Sequence, residues 1–333
     1  MSTTGMGILA NPRLPTSVAA AVAGIVLLAV WPLAWHGDFL IYIATLVLQF
    51  SIGACSLQLI IRTGHISLSH AAFAGIGGYA SVLLVMRAGW PWHFALIPAI
   101  LLPAAFGAII GPILLRLTGK YFVLVTFLFG ELMRFVATDW QSVTGGSNGI
   151  FGIPRPYPSM RDPLNYYWLS LAAAVVCVGL CVRIMRSEIG RAMDSMRESE
   201  RLTECAGVPV FRLKVIVFII ACGMAGVQGS LNAHMNNVIT PGNFGPMESL
   251  NLVVMNVIGG MTNMGGALLG TVFLVALPEL LRGYVEWQRV FYGIILIVVM
   301  AFLPGGIVEL WSRVRALWTG RAVGIAAVVG EDR

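Results

Sequence analysis

Two histidines and two serines open an otherwise apolar segment of the chain. The stretch "GHISLSHAAFAGIGGYA", residues 64–80, contains His65 and His70 and then continues mostly in glycine and alanine. Two imidazoles can share a metal ion, but a spacing of five residues turns them about 140° apart on a helix. Joint ligation of a metal is therefore disfavoured. We expect His70 to act in a gate or a subunit contact, or only to bond a carbonyl group on a neighbouring helix.

Ionised side chains within the apolar part of the sequence are few. Glu131 and Arg134, in "LFGELMR", lie three residues apart on one helical face, and Glu248 and Glu279 are further candidates. A charge at the centre of a bilayer costs about 2.5–3.5 kcal/mol even on the lenient insertion scale. Glu131 and Arg134 are thus expected either to neutralise each other near a helix end or to line a gate or solute pathway.

The sequence lacks the usual motifs for nucleotide and metal chemistry. The single Gly-Lys pair, Gly119-Lys120, is followed by Tyr121 and lacks the upstream glycine of a phosphate-binding loop. No HExxH or paired CxxC pattern is found, and the one match to GxSxG, "GGSNG" at 145–149, lies in a glycine-rich stretch. We therefore expect no cofactor and no metal in this chain, and a membrane-embedded enzyme is disfavoured.

The composition is that of a membrane protein. Of 333 residues, 58% are hydrophobic and 11% are charged, against about 45–50% and about 25% in soluble domains. Several apolar runs reach the roughly 20 residues that cross a bilayer as a helix. The prediction is an all-α, polytopic membrane protein with a tail at 1–16, a transmembrane domain at 17–303 and a tail at 304–333. About ten transmembrane helices are predicted, at 17–34, 39–61, 66–86, 93–116, 121–138, 165–184, 213–232, 248–263, 266–282 and 289–303.

The orientation follows from the most hydrophilic internal segment, residues 186–212. Its sequence, which begins "RSEIGRAMDSMRESERLTECAGV", is rich in arginine, and such loops face the cytoplasm. With ten spans, both termini are then cytoplasmic as well. The formal net charge of +6 belongs mainly to residues that flank the spans, so it indicates orientation and not nucleic-acid binding.

The same segment contains the pattern of an amphipathic helix. Ile189, Ala192, Met193 and Met196 follow the i, i+3, i+4, i+7 spacing. The segment is either a solvated charged loop or a helix on which a cytoplasmic partner packs, because an apolar stripe on a short cytoplasmic helix needs a cover.

Two glycine- and proline-rich stretches, 139–168 and 234–251, are expected on the outer side of the membrane. Broken helix ends in such stretches can offer backbone groups to a solute. The residues predicted to line a pathway or gate are His70, Tyr79, Glu131, Arg134, Gly146, Asn148, Pro241 and Asn243.

Small residues allow helices to pack closely in a membrane. The hydrophobic effect does not drive helices together in lipid, so their association depends on close contact between backbones. Ser67 or Ser69 is well placed to cap the helix that follows them. The glycines predicted to pack helices are Gly75, Gly77, Gly78, Gly107, Gly111, Gly266 and Gly270.

Five blocks of sequence resemble a known family. They are "GHISLSHAAFAGIGGYA"; "LTGKYFVLVTFLFGELMR" with "TGGSNGIFGIP"; "GRAMDSMRESERLTECAGV"; "ITPGNFG" with "VIGGMTNMGGALLG"; and "LPELLR" with "FLPGGI". In this order, over about residues 39–307, they resemble the LivM-like permease subunit of branched-chain amino acid ABC importers. The chain departs from the family pattern at His65, Ser69 and Thr262-Asn263, which bears on the solute and not on the architecture.

The resemblance implies a permease of the bacterial inner membrane that moves a branched-chain amino acid or a related small polar organic solute. It implies a LivH-like second permease, two cytoplasmic ATP-binding subunits that hold ATP-Mg, and a periplasmic substrate-binding protein. It also implies that the segment 188–207 docks on an ATPase. The residues expected to couple it to the ATPase are Gly190, Arg191, Met193, Met196, Arg197, Glu198, Glu200, Glu204 and Gly207. The alternative is a secondary transporter without ATPases, for which an inverted repeat and buried carboxylates are expected.

Overall fold

The computed structural model describes residues 37–280 except 262, together with 28, 293 and 297. Within this range the chain is almost entirely helical. The predicted tails at 1–16 and 304–333 lie outside the described residues. The predicted spans at 17–34 and 289–303 also lie outside them, except for the single positions 28, 293 and 297.

The helices are α1 Asp38–Arg62, α2 His70–Arg87, α3 Trp92–Leu114, α4 Lys120–Asp139, α5 Gln141–Thr144, α6 Pro163–Arg186, α7 Glu188–Glu198, α8 Glu200–Cys205, α9 Val210–Asn236, α10 Pro246–Gly259 and α11 Met264–Leu280. Two short strands, β1 Ile150–Phe151 and β2 Val238–Ile239, pair with each other. Single 3-10 turns lie at Gly146–Asn148, Pro158–Arg161 and Pro241–Phe244.

Five of these helices, α1, α3, α4, α6 and α9, are long and apolar enough to cross a membrane. They coincide with predicted spans to within a few residues. α10 and α11 meet at a bend of 117° and together make at most one further span; α10, with 14 residues, is only about 21 Å long. The prediction of a multi-pass α-helical membrane protein is confirmed. Ten crossings and cytoplasmic termini stay predictions.

α9 lies at the centre of the bundle and packs against α1, α2 and α3. The approach is backbone to backbone at Gly77, where a Cβ atom would overlap the Cα atom of Gly226 and lie 2.6 Å from the carbonyl oxygen of Ala99. Helices in lipid gain packing energy from such close contact. The glycines therefore set the distance between α2, α3 and α9.

The other glycines predicted to pack helices occupy similarly tight positions. A Cβ atom at any of them would come within 3.0 Å of an atom of a neighbouring residue, since Gly75 faces Phe244, Gly78 faces Gly229, Gly107 faces Cys222, Gly111 faces Phe218, Gly266 faces Gly259 and Gly270 faces Met255.

The bundle has two ends, which we call the α7 end, where α7 and α8 lie, and the ribbon end, where β1 and β2 pair. α2 runs parallel to α9 from the α7 end towards the ribbon end. Phe73 packs on Phe218 with ring centroids 5.6 Å apart, and farther along Ser81 Oγ lies 3.0 Å from His234 Nε2. The polar start of α2 therefore belongs to the α7 side.

α10 runs in the opposite direction, parallel to α1. Asn256 Nδ2 donates to the carbonyl oxygen of Ala54 at 3.1 Å, and Gln58 Nε2 donates to that of Met261 at 3.5 Å. α2 and α10 are thus antiparallel neighbours.

Both α2 and α10 begin inside the bundle and not at its ends. Just before α2, the amide of Leu68 donates to Thr126 Oγ1, six residues into α4, at 3.1 Å. A Cβ atom on Gly130, near the middle of α4, would lie 3.2 Å from the carbonyl oxygen of Leu68 and 3.3 Å from Pro246, the first residue of α10. The segment 241–246, expected in an outer loop, therefore re-enters the bundle to about half its depth.

At the ribbon end, β1 and β2 join the two predicted outer stretches. Ile150 pairs with Ile239 in antiparallel register. Asn237 adopts a left-handed conformation with φ 57°, and its Nδ2 donates to the carbonyl oxygen of Ile153 at 2.8 Å. The loop after α5 is thereby fixed to the end of α9.

A hydrogen-bonded chain beneath this ribbon links three helices to the loop. Trp92 Nε1 donates to Ser230 Oγ at 3.2 Å, and Ser230 Oγ donates to Ser81 Oγ at 2.9 Å. His234 lies next in the chain, with Nε2 3.0 Å from Ser81 Oγ and Nδ1 2.7 Å from the carbonyl oxygen of Pro154. Because that carbonyl can only accept, Nδ1 is the donor and Nε2 accepts from Ser81.

Candidate functional site

The predicted coupling segment forms α7 and α8, and its apolar stripe faces the chain itself. Met193 and Met196 are 0% and 4% exposed, and α7 packs on the ends of α6 and α1. Gly190 is also buried, over the backbone of Met185. The inference that a partner must cover this stripe is therefore wrong, because the chain's own helices cover it.

Two ion pairs tie this segment to the long helices. Arg62, at the end of α1, forms a bidentate pair with Asp194 of α7, in which Nη2 lies 2.6 Å from Oδ2. Lys214 of α9 is 2% exposed, and its Nζ lies 2.6 Å from Glu200 Oε2 of α8. A displacement of α7 and α8 would thus reach α1 and α9 directly.

His65 lies next to the second pair, in the loop between α1 and α2. Its ring packs edge-on against Phe122 with centroids 4.8 Å apart, and Nδ1 lies 3.1 Å from the carbonyl oxygen of Thr63. Burial lowers the pKa of this imidazole from its usual 6.5, and the neighbouring Lys214 ammonium lowers it further. His65 is therefore neutral at pH 7.

The other face of α7 and α8 is exposed and charged. Sequence reasoning did not single out Leu202, whose side chain is 71% exposed on this face. In the sequence, Leu202 stands out only as an apolar residue among charged ones. The predicted coupling residues that lie on the exposed side are Arg191, Arg197, Glu198, Glu200, Glu204 and Gly207.

His70 opens α2 and is fully buried. Its Nε2 lies 2.7 Å from Ser56 Oγ of α1, so its described partner is a hydroxyl group and not a carbonyl group. Ser69 occupies the N-cap position, as predicted, but its side chain forms no capping bond and lies 3.0 Å from Ser67 Oγ. The first turn of α2 is satisfied from another helix instead, because the amide of Ala71 donates to Ser249 Oγ at 2.9 Å.

Where α2 and α10 begin, an open cavity of about 210 Å³ with both polar and apolar lining residues extends towards the ribbon end. We call it the carboxamide cup. One of the predicted pathway residues, Asn243, lines it, and Glu248 lies at its wall. Its lining residues are Leu46, Phe50, Ala71, Ala74, Gln228, Gly229, Asn232, Asn236, Asn243, Phe244, Glu248 and Leu252.

A second, mostly apolar cavity of about 370 Å³ lies between α2, α3 and α4. It brings together three predicted pathway residues, Tyr79, Arg134 and Pro241. Arg134 Nη2 lies 2.5 Å from Glu131 Oε1, so the two charges neutralise each other, while their side chains remain 32% and 30% exposed midway along α4.

The remaining predicted pathway residues line neither cavity. Gly146 is buried beside Gln141, and Asn148 is exposed in the same 3-10 turn. Their assignment to a pathway, and that of His70 to a gate, stay predictions.

Comparison with known proteins gives a family. A family model described as the permease component of a branched-chain amino acid transport system matches residues 39–300. The chain belongs to this family of permeases.

Individual relatives agree with the family model. The high-affinity branched-chain amino acid transport permease LivM of Escherichia coli (strain K12) is 29% identical over 331 residues, covering 91% of this chain and 77% of the relative. LivM of Salmonella typhimurium is 28% identical, covering 85% and 73%. The permease LivH of Salmonella typhimurium is 25% identical, covering 73% and 85%. No solved structure matches the chain.

The prediction of a LivM-like permease is thereby confirmed. The matched residues include both cavities and the α7–α8 segment of the permease. Over the part of the chain that the structure describes, no group of three His, Cys, Asp or Glu side chains could hold a metal ion.

Sequence reasoning missed the carboxamides of the cup. Gln228, Asn232 and Asn236 are spaced by four residues and therefore share one face of α9. In an otherwise apolar span, this spacing was the available signal for a polar cavity.

Proposed function

We propose that this permease is the membrane-spanning subunit of an ATP-driven ABC importer of the bacterial inner membrane. It moves a branched-chain amino acid, or a related small polar organic solute, from a periplasmic binding protein to the cytoplasm. The observation that carries the proposal is the family match over residues 39–300, together with relatives named as high-affinity branched-chain amino acid transport permeases.

The α7 end faces the cytoplasm and the ribbon end faces the periplasm, with ten crossings and both termini in the cytoplasm. The arginine-rich sequence of α7 and α8 supports this orientation, since basic loops stay on the cytoplasmic side. The ribbon end, with its glycine- and proline-rich loops, receives the binding protein.

Two cytoplasmic ATP-binding subunits, which hold ATP-Mg, drive the cycle through α7 and α8. The exposed side of these helices, which carries Arg197, Glu198 and Leu202, is the docking face. The ion pairs Arg62–Asp194 and Glu200–Lys214 then pass a movement of the docking face to α1 and α9.

A LivH-like second permease covers the exposed side of α4. The Glu131–Arg134 pair is about one-third exposed midway along this helix, where contact with lipid would be costly for charged groups. A second permease, with a water-accessible path between the two subunits, removes that cost. Such a path is needed because an amino acid zwitterion cannot cross hydrocarbon with its charges unpaired.

Co-purification tests the proposal against the rival, a secondary transporter that works without ATPases. The chain is isolated from membranes in mild detergent, and the bound proteins are identified; we expect a LivH-like permease and ATP-binding subunits. The complex is then reconstituted in vesicles with an ATPase that cannot hydrolyse ATP. Uptake that persists in those vesicles would support the secondary transporter.

A further inference from the structure

Glu248 is a half-buried carboxylate at the place where α10 begins, deep inside the bundle. Its Oε2 accepts a long hydrogen bond, 3.4 Å, from Asn251. Among the described residues no Lys, Arg or His side chain forms an ion pair with it. An ionisable group at membrane depth is costly, and such groups usually serve solute or ion pathways.

Carboxamide side chains share the lining of the cup with this carboxylate. On α9, Asn236 Nδ2 donates to Asn232 Oδ1 at 3.2 Å, and Asn232 Nδ2 donates to Gln49 Oε1 at 3.4 Å. Gln228 is 6% exposed, and its Oε1 has no hydrogen-bond partner within the described part of the chain. This carboxamide packs against Gly53 of α1, where an added Cβ atom would overlap Oε1.

The cup also offers apolar surface and a suitable size. Leu46, Phe50 and Leu252 line one part of it, and a volume of about 210 Å³ suits a molecule of the size of an amino acid and not a large ligand. No Lys or Arg lies among its lining residues. Its only full charge is therefore negative, so it favours a solute that carries an ammonium group.

We propose that the carboxamide cup is a solute-binding site within this single chain, and that Glu248 binds the ammonium group of a small zwitterionic amino acid in transit. Asn243 supplies an amide N–H donor to the carboxylate, and the apolar residues contact the side chain. The proposal rests on the transport function proposed above. It adds that residues of this subunit itself bind the solute in transit.

Uptake by the whole importer provides the first test. The importer is reconstituted in vesicles, with ATP on the side of the membrane that carries the ATP-binding subunits and the binding protein on the other side. Uptake of radiolabelled leucine is then measured. We expect Glu248→Gln to reduce uptake at least about tenfold, as loss of a desolvated charge contact does, and Glu248→Asp to retain part of it. The control is Asp38→Asn, which neutralises an exposed carboxylate at the start of α1.

A chemical probe provides a second test that does not depend on transport. Cys205 is the exposed cysteine of the described chain and the other four are buried, so Asn243→Cys is made together with Cys205→Ser in the assembled complex. Its reaction rate is measured with a cationic methanethiosulfonate ammonium reagent and with the anionic sulfonate reagent. We expect the cation-to-anion rate ratio to fall several-fold when Glu248→Gln is added, because a nearby charge concentrates the opposite charge in a cleft.

The outcomes separate this inference from the proposed function. If the unmodified complex imports leucine and Glu248→Gln imports it equally well, the cup is not the site and the importer function stands. If the unmodified complex imports no leucine, the cation-to-anion rate ratio at position 243 still tests whether the cup is a binding site. An unchanged ratio overturns the inference, and a lowered ratio supports a site for another ammonium-bearing solute.

Discussion

The amide of Ala71 donates a 2.9 Å hydrogen bond to Ser249 Oγ, and this bond joins the starts of two antiparallel helices. α2 rises from the α7 end and α10 descends from the ribbon end, and both begin at about half the depth of α4. Free amide groups at a helix start must find partners. Here a side chain of α10 accepts from the first turn of α2, so the starts of the two helices are linked.

Replacing Ser249 with alanine should destabilise this junction. The buried amide of Ala71 would lose its partner, which costs about 1–3 kcal/mol. We expect a lower midpoint of thermal unfolding in detergent. Ser195→Ala is the matched control, because Ser195 is exposed on α7 and surface changes usually stay within about 0.5 kcal/mol. Equal midpoints for the two variants would contradict the role given to Ser249.

Gly77→Ala should loosen the contact between α2 and α9. The added Cβ meets the backbone of Gly226 and Ala99, which cannot move away by rotating a side chain, so a cost of about 1–3 kcal/mol is expected. The control is Gly179→Ala on α6, where no atom lies within 4 Å of the added Cβ. Thermal unfolding and the yield of folded protein distinguish the two. Equal stability would mean that α2 and α9 can separate freely.

Arg197→Glu should uncouple ATP hydrolysis from uptake while membrane insertion stays intact. Arg197 is exposed on the proposed docking face, whereas Glu200 is unsuitable for this test because it pairs with the buried Lys214. ATP hydrolysis and solute uptake are measured on the same reconstituted complex, with Arg161→Glu, on the ribbon side, as the control. Normal solute-stimulated hydrolysis and uptake in Arg197→Glu would argue against docking at this face.

His65 should make stability depend on pH. Its pKa is lowered from 6.5 by burial and by Lys214, so the folded chain binds fewer protons at this site than the unfolded chain, and the stability of the folded state rises with pH. The contribution of the neutral imidazole is complete above about pH 6.5 and is lost as the pH falls below that value. Phe122 and Glu200 also face this region.

The measurement compares thermal unfolding of the natural chain and His65→Gln at pH 7.5 and pH 5.5. The natural chain should lose more stability between the two values than the variant does, because glutamine does not titrate. If the difference in unfolding midpoint between the two proteins is the same at both pH values, His65 is not the cause of the pH dependence.

The long helices could be predicted well from sequence, because their apolar runs end at charged or helix-breaking residues. α1 ends at Arg62 and α4 begins at Lys120, within one residue of the predicted spans. The start of α10 at Pro246 could be predicted too, but its depth could not. Hydropathy reflects the free energy of transferring a residue from water to an apolar phase. It does not indicate how deeply a polar turn enters the bundle.

The environment of α7 shows a second limit. The spacing of Met193 and Met196 correctly predicts an amphipathic helix, yet the pattern does not say which surface covers the apolar stripe. In the structure α6 and α1 do so. The evenly spaced carboxamides at Gln228, Asn232 and Asn236 were overlooked for a related reason, since single polar residues hardly alter the average hydropathy of a long span.

The contact between His234 and the carbonyl oxygen of Pro154 has a mechanical consequence for any protein that binds the loops of the ribbon end. A push on that loop moves a side chain already bonded to α2, and through Ser230 and Trp92 to α3. His234 also stands half a turn from Asn236, at the mouth of the cup. Binding of a protein to this loop and entry of a solute into the cup would therefore both act on the same stretch of α9. The two events could then be coupled without any further structural element.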